Sequence, residues 1–136
     1  MLDIEPQEYR SARSIIDLSM DGYNWDYVEN RAANTQRRVA HGRKRFGEIF
    51  LEAAYSGEDG GRSIDKVLGC VTTVNKHYLV MGNKIRPLSI KELAAAQSFD
   101  DDYIWPKGAV ATKSLIGNAI PPKMAEMVTK SIIGAI

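Results

Sequence analysis

Apolar positions divide the chain into short segments of two periods. Val39, Phe46, Ile49, Phe50 and Ala53 recur at helical spacing and predict the longest helix. Asn34 or Thr35 would cap it, because their side-chain oxygens accept orphan backbone N–H groups. Gly42 and Gly47 weaken it by about 1 kcal/mol each relative to Ala, and its end is expected near Tyr55. Ala12, Ile15, Ile16 and Leu18 predict a short helix within residues 10–19, and MDGYNWDYVEN, 20–30, reads as a loop. SGEDGGRS, 56–63, reads as another loop. VLGCVTTV, 67–74, and HYLVMG, 77–82, are β-rich. Gly82-Asn83 tolerates positive φ and predicts a two-residue hairpin turn, with Lys84-Ile85-Arg86 opening the return strand. Ser89 and Glu92 form a capping box for a helix to Gln97 or Ser98. Residues 100–106 read as a loop, and a short helix is expected over Ala111–Ile116. A last helix starts near Pro121, with Met124, Met127, Val128, Ser131 and Ile132 on one side. The expected class is α+β, a small antiparallel sheet with flanking helices. Its sheet of about three short strands is thin for an independent core.

Composition narrows the class. The 136 residues suit one ordinary domain, and 44% hydrophobic with 26% charged residues excludes long disorder. The apolar runs are too short to span a membrane, and MLDIEPQEYR lacks the apolar core of a signal peptide. Cys70 is the lone cysteine, so no internal disulfide forms, which fits a reducing cytoplasm. It reads as a buried strand thiol. With one Cys, His41 and His77 make no zinc pattern. The net charge of +1 predicts no polyanion partner, but the distribution is uneven. Residues 31–45 hold six Lys/Arg and no acid, and such a stripe can bind phosphates. A solvated helix face is the commoner explanation of a basic run.

Two stretches read together: IRPLSIKELAAAQSFDDDYIW, 85–105, and KSLIGNAIPPKMAEMV, 113–128. In order and spacing they resemble the ninth and tenth motifs of the DNA (cytosine-5) methyltransferases. A looser likeness precedes them. Arg10–Ile16, Thr35–Gly47 and Val71-Thr72-Thr73 are similar to the segment that holds the target-recognition domain in bacterial and phage members. The family's Pro-Cys nucleophile, Glu-Asn-Val segment and Phe-x-Gly-x-Gly loop do not occur in these residues. The chain therefore resembles the C-terminal piece of a larger α/β S-adenosylmethionine-dependent methyltransferase fold. Residues 1–84 would be the target-recognition-like region and 85–136 the ninth- and tenth-motif region. Whether such a piece is itself an enzyme stays open, since it carries no catalytic residue.

The resemblance implies residue roles. Double-stranded DNA would be the partner, with Arg37, Arg38, Arg43, Lys44 and Arg45 on phosphates. One helix cannot aim all five the same way, so about half should point toward DNA. Thr72, Thr73, Lys76 and His77 suit base-edge or phosphate contacts, although β-propensity alone explains the threonines as well. Arg86 and Glu92 would brace the recognition region by hydrogen bonds. Asn118, Ala119 and Ile120 match positions that line the S-adenosylmethionine pocket, and Gly117 would let backbone approach closely. A plain helix cap explains Asn118 equally well. Leu115, Ile116, Met124, Met127 and Ile132 should be left uncovered. That face would dock on a chain carrying the first eight motifs or pair with a second copy. The setting implied is a bacterial or phage-like cytoplasm. A non-enzymatic DNA-binding or protein-interaction module derived from such an enzyme is the alternative.

Overall fold

The structure, a computed structural model, describes residues 8–54 and 60–135. Five strands form one antiparallel sheet: β1 (Asp26–Tyr27), β2 (Ile49–Ala53), β3 (Gly61–Arg62), β4 (His77–Met81) and β5 (Lys84–Pro87), in the order β1-β5-β4-β2-β3. The helices are α1 (Ala33–Phe46), α2 (Ile90–Ala96), α3 (Ala109–Asn118) and α4 (Pro122–Gly134). The α+β class and the small antiparallel sheet agree with the sequence, and the sheet has two more strands than expected.

Pairing with β4 decides the middle of the chain. The predicted long helix stops at Phe46, Gly47 takes φ +82°, and Ile49–Ala53 becomes the central strand β2, with Phe50 opposite Val80 and Leu51 opposite Leu79. Tyr55, the expected helix end, lies outside the described residues. Neither Asn34 nor Thr35 caps α1. Ala32 holds the cap position without a side-chain bond, and the two polar side chains accept from Arg37 and Arg38 instead. The reverse correction applies to 67–74. This stretch is irregular, because the edges of β4 are already taken by β2 and β5. Val71 still reaches the core, and Cys70 is exposed in this segment rather than buried in a strand.

The first segment is a 3-10 turn, Ala12–Ser14, not a longer helix. Two of its three amides bond at long range, Ala12 N–H to the Lys66 carbonyl and Arg13 N–H to that of Ile64. The 20–30 loop contributes β1 and a second 3-10 turn, Val28–Asn30. The hairpin turn at Gly82-Asn83 and the capping box at Ser89 and Glu92 form as expected.

Strand alternation supplies two cores. Leu51, Leu79, Leu88, Leu93 and Ile116 pack on one face with Ala12 and Ile16. Val39, Phe50, Val80 and Ile85 pack on the other, under α1. Gly42 permits that second contact: a Cβ there would stand 2.8 Å from Cδ2 and Cζ of Phe50. Gly42→Ala should therefore destabilise the fold by about 1–3 kcal/mol through overpacking, despite its better helix propensity. Urea unfolding followed by circular dichroism reads this, and Gly42→Ala in a Phe50→Leu background should recover part of the loss.

Candidate nucleic-acid interface

Helix α1 is anchored by Val39, Gly42 and Phe46 against β2 and β3, which turns the opposite face to solvent. Arg37, Lys44 and Arg45 lie exposed on that outer face. Arg45 also lies 5.2 Å from the ring centre of Phe46. Arg38 and Arg43 flank the face and turn back into the protein. Arg38 Nε donates to Glu52 at 2.5 Å, and Arg43 donates to the Gly82 carbonyl at the hairpin tip. Three of the five cations thus face outward and two serve the fold.

The 72–77 stretch divides in the same way. Thr73 and Lys76 are exposed, while the Thr72 hydroxyl donates to the Val74 carbonyl at 2.6 Å. His77 does not fit the expected DNA contact. It is 1% exposed, and its Nε2 lies 2.9 Å from the Cys70 carbonyl, to which it donates. Burial lowers its pKa, which favours the neutral ring.

Arg86 and Glu92 make the densest polar cluster described. The Arg86 guanidinium grips Glu92 with two bonds of 2.8 Å, one to each oxygen. Glu92 also accepts from the amides of Asp17 at 2.9 Å and Ser89 at 2.7 Å. Arg86 donates to the Asp17 carbonyl at 2.7 Å and stacks 3.9 Å from the centre of the Tyr23 ring, with Trp25 at 5.2 Å. Burial pushes the Glu92 carboxyl up, but the Arg86 bonds and the two backbone donors outweigh it, leaving the pKa below its ordinary 4.5. Sequence reasoning missed Asp17, Tyr23 and Trp25. Their only signal was three aromatics crowded into a polar loop. The cluster ties residues 17–25 to β5 and α2.

Gly117 and Asn118 form the C-terminal end of α3, so this stretch presents no helix N-terminus. A Cβ on Gly117 would fall on the amide of Thr73 and the carbonyl of Thr72, 2.7 Å from the latter's oxygen. The close backbone approach is therefore made by the chain itself. Gln97 holds the same helix end, donating to the Ile116 carbonyl at 3.0 Å. Ala119 and Gly117 line a cleft of about 420 Å³ with Cys70, Gln97 and Lys123, while Asn118 and Ile120 are exposed. Of the apolar face expected on α3 and α4, Leu115, Met124 and Ile132 are uncovered, and Ile120 and Ile133 add to it. Ile116 is the exception: it sits in the core at 0% exposure. Met127 is half-buried.

Among the described residues no group of three or more His, Cys, Asp or Glu is arranged to hold a metal ion. No described helix is long and apolar enough to cross a membrane.

The chain is similar to the type II methyltransferase M1.HphI of Haemophilus parahaemolyticus, 35% identical over 51% of this chain and 18% of the relative. It is also similar to the type II methyltransferase M.Sau96I of Staphylococcus aureus, 39% identical over 38% of this chain and 12% of the relative. The matched stretches thus cover less than a fifth of either relative. No solved structure matches significantly. The family model for C-5 cytosine-specific DNA methylases matches residues 5–134, and the chain belongs to that family.

Proposed function

We propose that this chain is the C-terminal recognition and cofactor-edge part of a DNA cytosine-5 methyltransferase. The outer face of α1 carries the DNA half of this reading. Arg37, Lys44 and Arg45 stand there together on a helix that has no acid. They hold duplex phosphates, with Thr73 and Lys76 as further contacts. Phosphate contacts of this kind fix register, while sequence is read by side chains on base edges. The division into residues 1–84 for recognition and 85–136 for the ninth and tenth motifs is one of role. The Arg86–Glu92 cluster ties the backbone of Asp17 in the first part to β5 and α2 in the second.

Asn118, Ala119 and Ile120 form one edge of the S-adenosylmethionine site. They suit a single wall: an exposed carboxamide, a small residue lining a cleft and an exposed apolar side chain. The bound cofactor supplies the methyl group. The remaining walls and the nucleophile come from the first eight motifs, on the same polypeptide or on a second chain. The uncovered face of α3 and α4 docks there. A bacterial or phage-like cytoplasm fits this assignment.

Fluorescence anisotropy of a labelled duplex tests the reading. The three phosphate contacts of α1 should contribute about −2.7 to the slope of log K against log salt. Replacing Arg37, Lys44 and Arg45 together by Ala should flatten that slope and leave the urea midpoint unchanged. Arg38→Ala should do the opposite, lowering stability with the slope preserved. A slope near zero in the unmodified chain would refute the DNA assignment.

A further inference from the structure

His41 sits in the middle of the outward face of α1. It follows Arg37 by one helical turn and precedes Lys44 and Arg45 by another, at the i+4 and i+3 spacings that bring side chains together. It is exposed, and the helix that carries it has no acid. The charged groups on the elements packed against α1 are Glu29, Glu52 and Arg62. Glu52 is held by Arg38, and Glu29 lies on the 3-10 turn beside the start of the helix. Glu48, just past the helix end, lies 3.8 Å from Arg43. Among the described residues, no hydrogen bond or ion pair ties a carboxylate to His41.

We infer that His41 is a further DNA-phosphate contact and makes DNA binding depend on a proton. The inference rests on the DNA reading of α1 above. An imidazole is the side chain whose ordinary charge change falls between pH 5 and 8. A phosphate placed against the ring favours the imidazolium over the neutral form, and the imidazolium adds one more released counterion. Binding then takes up a proton, and affinity falls as pH rises through the imidazole range. The other histidine does not share this role, since His77 is buried with its pKa lowered.

The test is duplex affinity of the whole chain at about pH 6 and about pH 8, for the unmodified protein, His41→Gln and His41→Lys. The unmodified chain should lose about tenfold in affinity across that interval, the scale of one linked protonation. His41→Gln should bind weakly at both values. His41→Lys should bind tightly at both. At the lower pH the salt slope of His41→Gln should be smaller by about 0.9. If His41→Gln keeps the full pH dependence and slope, the proton belongs to another group and the inference fails while the DNA reading stands. If no variant binds with a salt slope at either pH, both fail together.

Discussion

Replacing Glu92 by Gln should lower the unfolding free energy by about 3–5 kcal/mol, the usual result of stranding one partner of a buried ion pair. The carboxylate accepts four hydrogen bonds, two from Arg86 and one each from the amides of Asp17 and Ser89. A glutamine offers one acceptor oxygen and turns an NH2 group toward donors. The Arg86 charge, 1% exposed, then loses its counterion with no route to water. Urea unfolding at neutral pH reads the effect. A loss below about 1 kcal/mol, the scale of a surface pair, would show that the cluster is not the anchor described.

The pH dependence follows from the sign of the shift. The folded pKa of Glu92 lies below its ordinary 4.5, so the fold favours the ionised form. The contribution is complete above that ordinary value and is lost as pH falls through the depressed folded one. The deficit of Glu92→Gln should therefore shrink in acid. Glu52 gives the opposite sign. It is equally buried but accepts from a single side chain, Arg38, among the described residues, and burial outweighs Arg38 and Arg31, raising its pKa above 4.5. Its contribution is present below the unfolded value and declines as pH rises through the raised folded one. Glu52→Gln should cost much less than Glu92→Gln at neutral pH. The number of donors around each carboxylate sets this difference.

Features closed over a few residues could be read from the sequence. Ser89 and Glu92 satisfy each other's backbone within one helical turn, and Gly82-Asn83 encodes a turn in two residues. The family motifs were legible for the same reason, being ordered local strings. What failed depends on distant partners. Phe46, Ile49, Phe50 and Ala53 satisfy helical spacing, yet Ile49–Ala53 lies between β4 and β3, buried on both faces, so no alternation marks it as a strand. Val71-Thr72-Thr73 has strand composition, but both edges of β4, the strand it leads into, are already paired with β2 and β5. Arg37 and Arg38 are neighbours in sequence with opposite fates. Which one meets solvent is set by the packing of Val39, Gly42 and Phe46. The Arg86 cluster draws Asp17, Tyr23 and Trp25 from across the chain, and no local spacing announces it.

Gly117→Ala should destabilise the α3 end of the molecule by about 3 kcal/mol, the upper end for overpacking. The added Cβ meets the backbone of Thr72 and Thr73, which has no rotamer to yield. Either α3 shifts or the 72–73 segment does. A shift of α3 pulls Ile116 from the core and stretches the Gln97 bond to its carbonyl. The sheet is secured separately by β2, β4 and α1, so the loss should be local. Hydrogen exchange should show faster amides over residues 109–134, with β2 and β4 still protected. Gly47→Ala separates sterics from backbone strain. Gly47 has φ +82° and ψ −149°, a region essentially reserved for glycine, and nothing within 4 Å of its Cβ position, so that change should cost about 1–3 kcal/mol in backbone strain alone and leave the α3 amides protected. If Gly117→Ala behaves like Gly47→Ala, the contact with Thr72 and Thr73 is loose. If it releases α3 as expected, the proposed cofactor edge at Asn118–Ile120 and the exposed Thr73 meet at one rigid joint. Displacing either side of that joint would then move the other.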